Sequence, residues 1–320
     1  MGHLGWIIYG CHLIAAVVLP LSSAKGARVV WIDTDLSIGS PLREVDDAYA
    51  LLLALRSPEL RVAGVSTTYG NAPLRATTQR TRDSLGTFGA KVTVDPGAAS
   101  ARDLGRKSAA SAAVSAALHR EKLTYIALGP LTNLATFLRL HPEQAKRIEQ
   151  VVMIAGKTPG ASLGFGPEEK FRIHDANLVK DPAAVREVLR SQIPVLLVPI
   201  ETSSCLQLDR ADLDKLAASG AAGKYLAPRS RVWLWFWTHI AKTHGGPIFD
   251  ALAIVAVAQP SLVKIETRSA SFDAHDQLLV RQADGRKVGF CVDFAPATKA
   301  TILGRLTGRT AISSGAPRDR

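Results

Sequence analysis

Val29-Val-Trp-Ile-Asp-Thr-Asp35, followed after the segment 36–45 by Asp46-Asp-Ala-Tyr-Ala-Leu-Leu-Leu-Ala-Leu55, decides the fold. β-Branched and aromatic residues in an unbroken apolar run predict a short buried strand over Val29–Ile32. Asp46–Leu55 carries an apolar stripe at helical spacing and predicts a helix. The rhythm then repeats. Strands are predicted at Leu60–Ser66, Leu123–Leu128, Gln150–Ala155 and Ile193–Ile200. Between them, helices are predicted at Ala76–Phe88, Leu131–Leu140 and Pro182–Leu189. Strand-then-helix alternation implies an α/β fold, Rossmann-like, with a mainly parallel central sheet and helices on both faces. Neither an internal repeat nor a Pro/Gly linker divides the chain, so residues 25–320 read as one domain. Ligands of such sheets sit beyond the carboxyl ends of the strands, which is where the aspartates fall.

The 320 residues are 47% hydrophobic and 21% charged, enough for a packed core and unlike a disordered chain. The formal net charge is +11. The Lys and Arg residues are scattered without a dense run, so no nucleic-acid polymer is expected as a partner. Met1–Ala24 contains no Asp, Glu, Lys or Arg, and its apolar run Leu13–Leu21 is followed by small residues at 22–24. This reads as a secretory signal peptide. It implies a periplasmic or secreted protein with no lasting membrane attachment after cleavage; a cytoplasmic protein is the alternative. Cys205 and Cys291 remain after the leader and read as free thiols, and no CxxC or Cys/His cluster suggests zinc.

Asp33, Asp35, Asp46 and Asp47 crowd one edge of the predicted sheet. A single Asp at a helix start is explained by capping and the helix dipole. Four together are not, because packed like charges are unfavourable without a cation. Hard carboxylate oxygens select Ca²⁺ or Mg²⁺. A strand followed by Asp-x-Asp also opens the haloacid-dehalogenase phosphatases, but the second acidic pair here comes too early in the chain for that pattern.

Five segments in order resemble the inosine-uridine preferring nucleoside hydrolases, from Val29 to about Pro260. They are Asp33-Thr-Asp35 with Asp46-Asp47, Thr67-Thr-Tyr-Gly-Asn71, Leu128-Gly-Pro-Leu-Thr-Asn133, His174-Asp-Ala-Asn177 with Asp181-Pro, and Phe249-Asp250. The resemblance implies calcium-dependent hydrolysis of the N-glycosidic bond of ribonucleosides, giving ribose and free base. It implies that Asp35, Asp47, Asp250 and the backbone carbonyl of Thr132 ligate Ca²⁺, with Asp33 supporting them from behind. Asp35 would also take a proton from water. Asp46, Asn71 and Asn177 would hold ribose hydroxyls, and Asp175 would reach toward the 5′ end. The expected partners are a small nucleoside and further copies of this chain. Breaking an N-glycosidic bond develops oxocarbenium character on the sugar, a cation can orient the diol and a water, and a carboxylate can serve as base.

The chain also departs from the family pattern. Its segment 36–45 is longer than the family's Pro-Gly-x. Gly156-Lys-Thr-Pro-Gly160 replaces a glycine-and-asparagine stretch. Phe249 stands where many members carry a His that helps protonate the leaving base. His239 and His244, just upstream, are candidate substitutes. Trp233 and Trp237, one helical turn apart, are candidates for stacking on the nucleobase or for core packing. Asn133 reads as a plain helix-start residue. Phe249 also motivates a second reading, a calcium-dependent ribose or nucleoside-binding protein without turnover, against which the retention of Asp35 counts.

Overall fold

A computed structural model describes residues 26–283 and 285–308; the expected leader Met1–Ala24 lies outside the described residues. The opening strand forms as β1 (Arg28–Thr34) and reaches past Ile32 to include Asp33. It is followed by β2 (Leu60–Thr67), β3 (Val94–Pro96), β4 (Leu123–Ala127), β5 (Ile148–Met153) and β6 (Val195–Leu197). The last strands of the main sheet are β7 (Val263–Phe272), β8 (Leu278–Arg281) and β9 (Arg286–Phe294). The nine strands lie in the order β8-β7-β9-β6-β5-β4-β1-β2-β3. Every neighbouring pair is parallel except those made by β7, which runs against both β8 and β9. From β1 the chain winds outward to β2 and β3, then returns to lay β4 on the other side of β1. The winding thus reverses beside β1, and the crevice at such a switch point is where open α/β sheets bind ligands.

Alternation along β1 separates the two cores. Val30 and Ile32 face a layer containing the helices Asp46–Leu55, Gly220–Arg229, Phe249–Ala258 and Thr298–Leu306. Trp31 faces the opposite layer, built on Ala109–Arg120, Thr132–Leu140 and Pro182–Arg190. Phe249–Ala258 is buried at all of its positions, as expected of a helix that is apolar all round. Among the described residues no helix is long and apolar enough to cross a membrane. Both cysteines in the described region are free, Cys291 buried and Cys205 exposed.

Three features differ from the sequence expectations. The strand predicted at Ile193–Ile200 covers only Val195–Leu197, because Pro199 lacks a backbone donor and the chain turns there into a short helix, Ile200–Ser203. The helix Ala109–Arg120 was not predicted; its Ala/Ser composition gives little apolar contrast, and Ser108 starts it by accepting from the Ser111 N–H at 3.2 Å. The antiparallel strands β7 to β9 break the strand-helix rhythm altogether.

Trp31 shows how tightly the sheet is packed. Its indole lies over Gly64 of β2, and its N–H donates to Ser66 Oγ at 2.9 Å. A Cβ at position 64 would overlap the indole ring. Gly64→Ala is therefore expected to destabilise the protein by about 1–3 kcal/mol through overpacking. Urea unfolding checks this, and an unchanged midpoint would show that the ring has room to move.

Candidate functional site

The site begins where β1 ends. Asp33, fully buried, accepts on one carboxylate oxygen from Ser66 Oγ at 2.6 Å and from Asn133 Nδ2 at 2.8 Å. Asn133 also donates to the Thr67 carbonyl and accepts from the Ala98 N–H at 2.7 Å. The residue read as a plain helix-start is thus a buried tie between Asp33, β2 and the loop after β3. Burial, only partly offset by these hydrogen bonds, pushes the Asp33 carboxyl up to about 6. Two residues on, Asp35 Oδ2 accepts the backbone N–H of Asn71 at 2.6 Å, and Asn71 Nδ2 lies 3.3 Å from Asp35 Oδ1 and 3.5 Å from Asp47 Oδ2. Gly70, at φ +156°, lies against Asp35 so closely that a Cβ would collide with the carboxylate.

Two helix N-termini converge on this strand end. Asp46 and Asp47 occupy the first turn of Asp46–Leu55, and Asp250 that of Phe249–Ala258. None is the cap, a position filled by Val45 and Ile248. Capping therefore does not explain these carboxylates. Each helix dipole favours negative charge in its first turn. One carboxylate oxygen from each of Asp46, Asp47 and Asp250 falls within 4.8 Å of the others. All three residues are buried, and Thr34 Oγ1 donates to Asp47. Burial first, then the neighbouring Asp47, raises Asp35 and Asp46. Burial and then Asp46 raise Asp250, and burial lifts Asp47 to about 6. Like charges packed this closely favour a bound cation, and the all-oxygen donor set fits a hard divalent ion.

A cavity of about 390 Å³ opens over the cluster. Asn71, Asp175, Asn177, Asp46 and Asp250 line it together with Trp237 and Phe249. Asp175 caps the helix Ala176–Lys180, accepting from Leu178 N–H at 3.2 Å and from Gly156 N–H at 2.9 Å. Asn177 donates to the Leu128 carbonyl at 2.8 Å. Thr132 turns its hydroxyl to Asp181 at 2.6 Å. The residues singled out from sequence as calcium and ribose ligands therefore gather at one sheet edge. The closest three-carboxylate group is Asp46, Asp47 and Asp250, while Asp35 adjoins it through Asn71.

Residues 30–299 match the sequence profile of the inosine-uridine preferring nucleoside hydrolases. The chain belongs to that family. A non-specific ribonucleoside hydrolase of Salmonella agona is 29% identical over 224 residues, which is 62% of this chain and 69% of that protein. A pyrimidine-specific ribonucleoside hydrolase of Enterobacter sp. is 26% identical over 260 residues, 68% of this chain and 77% of that protein. A plant nucleoside hydrolase structure superposes with a TM-score of 0.75 at 25% identity, covering 88% of this chain and 99% of the other. The phosphatase reading is thereby set aside, and the chain is a hydrolase of N-glycosyl bonds.

Within this nucleoside hydrolase, neither candidate substitute for the missing His reaches the cavity. His239 is exposed and stacks on Trp235, and His244 is also exposed. The histidine that does line the cavity is His174. Trp233 is buried, with its indole N–H donating to Glu44 Oε2 at 2.8 Å. Trp237 lines the cavity from within a cluster of Phe165, Phe171, Phe236 and Phe249. Glu44, Lys180 and His174 are lining residues that sequence reasoning missed.

The raised carboxyls set a pH dependence for the cation-free protein. Asp33 and Asp47 take up a proton near pH 6 when folded but only near 3.8 when unfolded. The folded state binds more protons inside that window, so stability rises as pH falls through it, and the charging penalty is complete above it. After chelation, the melting temperature is expected to be higher at about pH 5 than at about pH 7.5, with divalent cation restoring stability at the higher pH. Thermal scans check this, and a monotonic fall in melting temperature from pH 7.5 downward would contradict it.

Proposed function

We propose that the protein is a calcium-dependent ribonucleoside hydrolase. The observation that carries this reading is the convergence of buried Asp46, Asp47 and Asp250 within 4.8 Å, with Asp46 and Asp250 on the wall of a cavity that also presents Asn71, Asp175 and Asn177. Calcium accepts six to eight oxygen ligands in flexible geometry, whereas Mg²⁺ holds its waters and suits a dense carboxylate cage less well. Asp35, Asp47 and Asp250, with the Thr132 carbonyl, would hold the ion. When bound, it supplies positive charge that orients a ribose diol and a water and lowers the water's pKa.

The remaining chemistry belongs to the chain. Asp35, fixed by the Asn71 N–H, would take a proton from the attacking water as the water oxygen bonds to C1′. The C1′–N bond breaks, and the base leaves with the bonding electron pair and is then protonated. Asp46, Asn71 and Asn177 accept and donate to the ribose hydroxyls; a sugar lacking one would leave buried polar groups unpaired, which gives selectivity. Asp175, held by two backbone N–H groups, serves the 5′ end. The apolar leader supports export of the enzyme.

Asp47→Ala should remove bound calcium and activity together, and elemental analysis showing full calcium occupancy would contradict the assignment. Asp35→Asn should lower kcat by about 10²–10⁴-fold, the usual worth of a general base. Phe249 offers no proton, so p-nitrophenyl riboside, whose leaving group needs none, should be cut faster than inosine. Phe249→His should then raise kcat for inosine but not for p-nitrophenyl riboside. A protein that binds calcium and ribose yet cuts neither substrate would establish the binding-protein reading instead.

A further inference from the structure

The segment Leu36–Val45, longer than the family's, brings one carboxylate into the cavity that no part of the reaction above uses. Glu44 lines the cavity beside Asp46. It is held from several directions. Trp233 donates its indole N–H to Oε2 at 2.8 Å, and Ser37 donates its hydroxyl to the Glu44 backbone carbonyl at 2.7 Å. The buried Trp237 indole N–H, which has no other partner among the described residues, approaches the same carboxylate. Gly246 makes room for this arrangement, since a Cβ there would overlap the Trp233 ring. A carboxylate drawn from water needs its oxygens engaged. Oε2 is engaged by Trp233, and among the described residues no hydrogen bond to Oε1 is formed, which leaves that oxygen available to a ligand.

The position of Glu44 selects the part of the substrate it meets. Asp46, Asn71, Asp175 and Asn177 serve the sugar. Glu44 stands instead with Trp237, which packs edge-on against Phe249 at 6.0 Å between ring centroids. Glu44 thus stands at the border between the carboxylates of the sugar side and an aromatic wall that includes Phe249, the position where the leaving group lacks a proton donor. A planar base packs well against such a wall, and a fixed acceptor at its border would read an N–H in the plane of the ring.

We propose that Glu44, positioned by Trp233, is a specificity-determining residue that accepts a hydrogen bond from a ring N–H of the leaving base, so that the enzyme favours ribonucleosides carrying that donor. The proposal rests on the hydrolase reading and adds a substrate class to it. Hypoxanthine and uracil carry such an N–H when bound to ribose; their N1-methyl and N3-methyl derivatives do not. A donor matched to a fixed carboxyl acceptor discriminates by about tenfold over a substrate lacking it.

The test uses the calcium-loaded full chain with inosine against 1-methylinosine, uridine against 3-methyluridine, and p-nitrophenyl riboside as a leaving group without N–H. The wild type should prefer each parent nucleoside over its methyl derivative by about tenfold or more in kcat/KM. Glu44→Ala should bring both ratios close to one and should lose more activity on inosine than on p-nitrophenyl riboside. Glu44→Gln, which keeps an acceptor oxygen, should retain part of the discrimination. Trp233→Phe, which keeps an aromatic ring but removes the N–H, should lower the ratios without a matching loss on p-nitrophenyl riboside, and it provides the test if the alanine variant does not fold. Unchanged ratios in both Glu44→Ala and Trp233→Phe, or equal losses on all substrates, would overturn the proposal. A wild type that cuts p-nitrophenyl riboside but does not distinguish parent from methylated nucleoside would overturn it while leaving the hydrolase reading intact. No cleavage of any substrate would overturn both.

Discussion

Repulsion among buried carboxylates is the constraint around which this molecule is arranged. Two unit charges about 4 Å apart repel by about 4 kcal/mol at an effective dielectric near 20, and a whole domain is stable by only about 5–15 kcal/mol. Ligand atoms of the buried Asp46, Asp47 and Asp250 lie within 4.8 Å of one another, with Asp35 alongside. Several features soften this. Two helices point their positive ends at the cluster, and Thr34 and Asn71 donate hydrogen bonds to its members. These partial measures leave the group suited to a divalent cation and ill suited to be without one.

The surroundings make sense as support for that cluster. Asp33 is held by the side chains of Ser66 and Asn133, so one carboxyl of the Asp-x-Asp pair ties β1 to its neighbours while the other adjoins the cluster. Gly70 lets the β2 loop run against Asp35 and deliver Asn71. The cavity above is two-sided. Polar groups from the β1, β2 and β5 loops line one side, and the ring cluster around Trp237 lines the other.

Much of this was legible in the sequence because it is local. The strand that leads into Asp33, the helix that opens at Asp46 and the parallel strands β1, β2, β4 and β5 follow from patterns within short windows, whereas the three-residue β3 is too short to leave one. The elements that escaped have physical reasons. Ala109–Arg120 has almost no apolar contrast, and β7 to β9 pair antiparallel where the rhythm had been parallel. Asn133 is buried by partners 35 and 100 residues away. Glu44 reads as an ordinary loop glutamate until a tryptophan 189 residues further along the chain engages it. The paired tryptophans were recognised as unusual, but only the fold divides them into one that lines the cavity and one behind it. Contacts of that span leave no periodic trace.

The two rims of the sheet carry a separate consequence. β3 is three residues long and ends in Pro96, which has no N–H to offer, and β8 at the far rim is four residues long. Short margins and a proline give an incoming strand almost nothing to pair with. Extension of the ladder from one molecule into the next is thereby disfavoured. The short rims thus act as a guard against edge-to-edge association of the sheet.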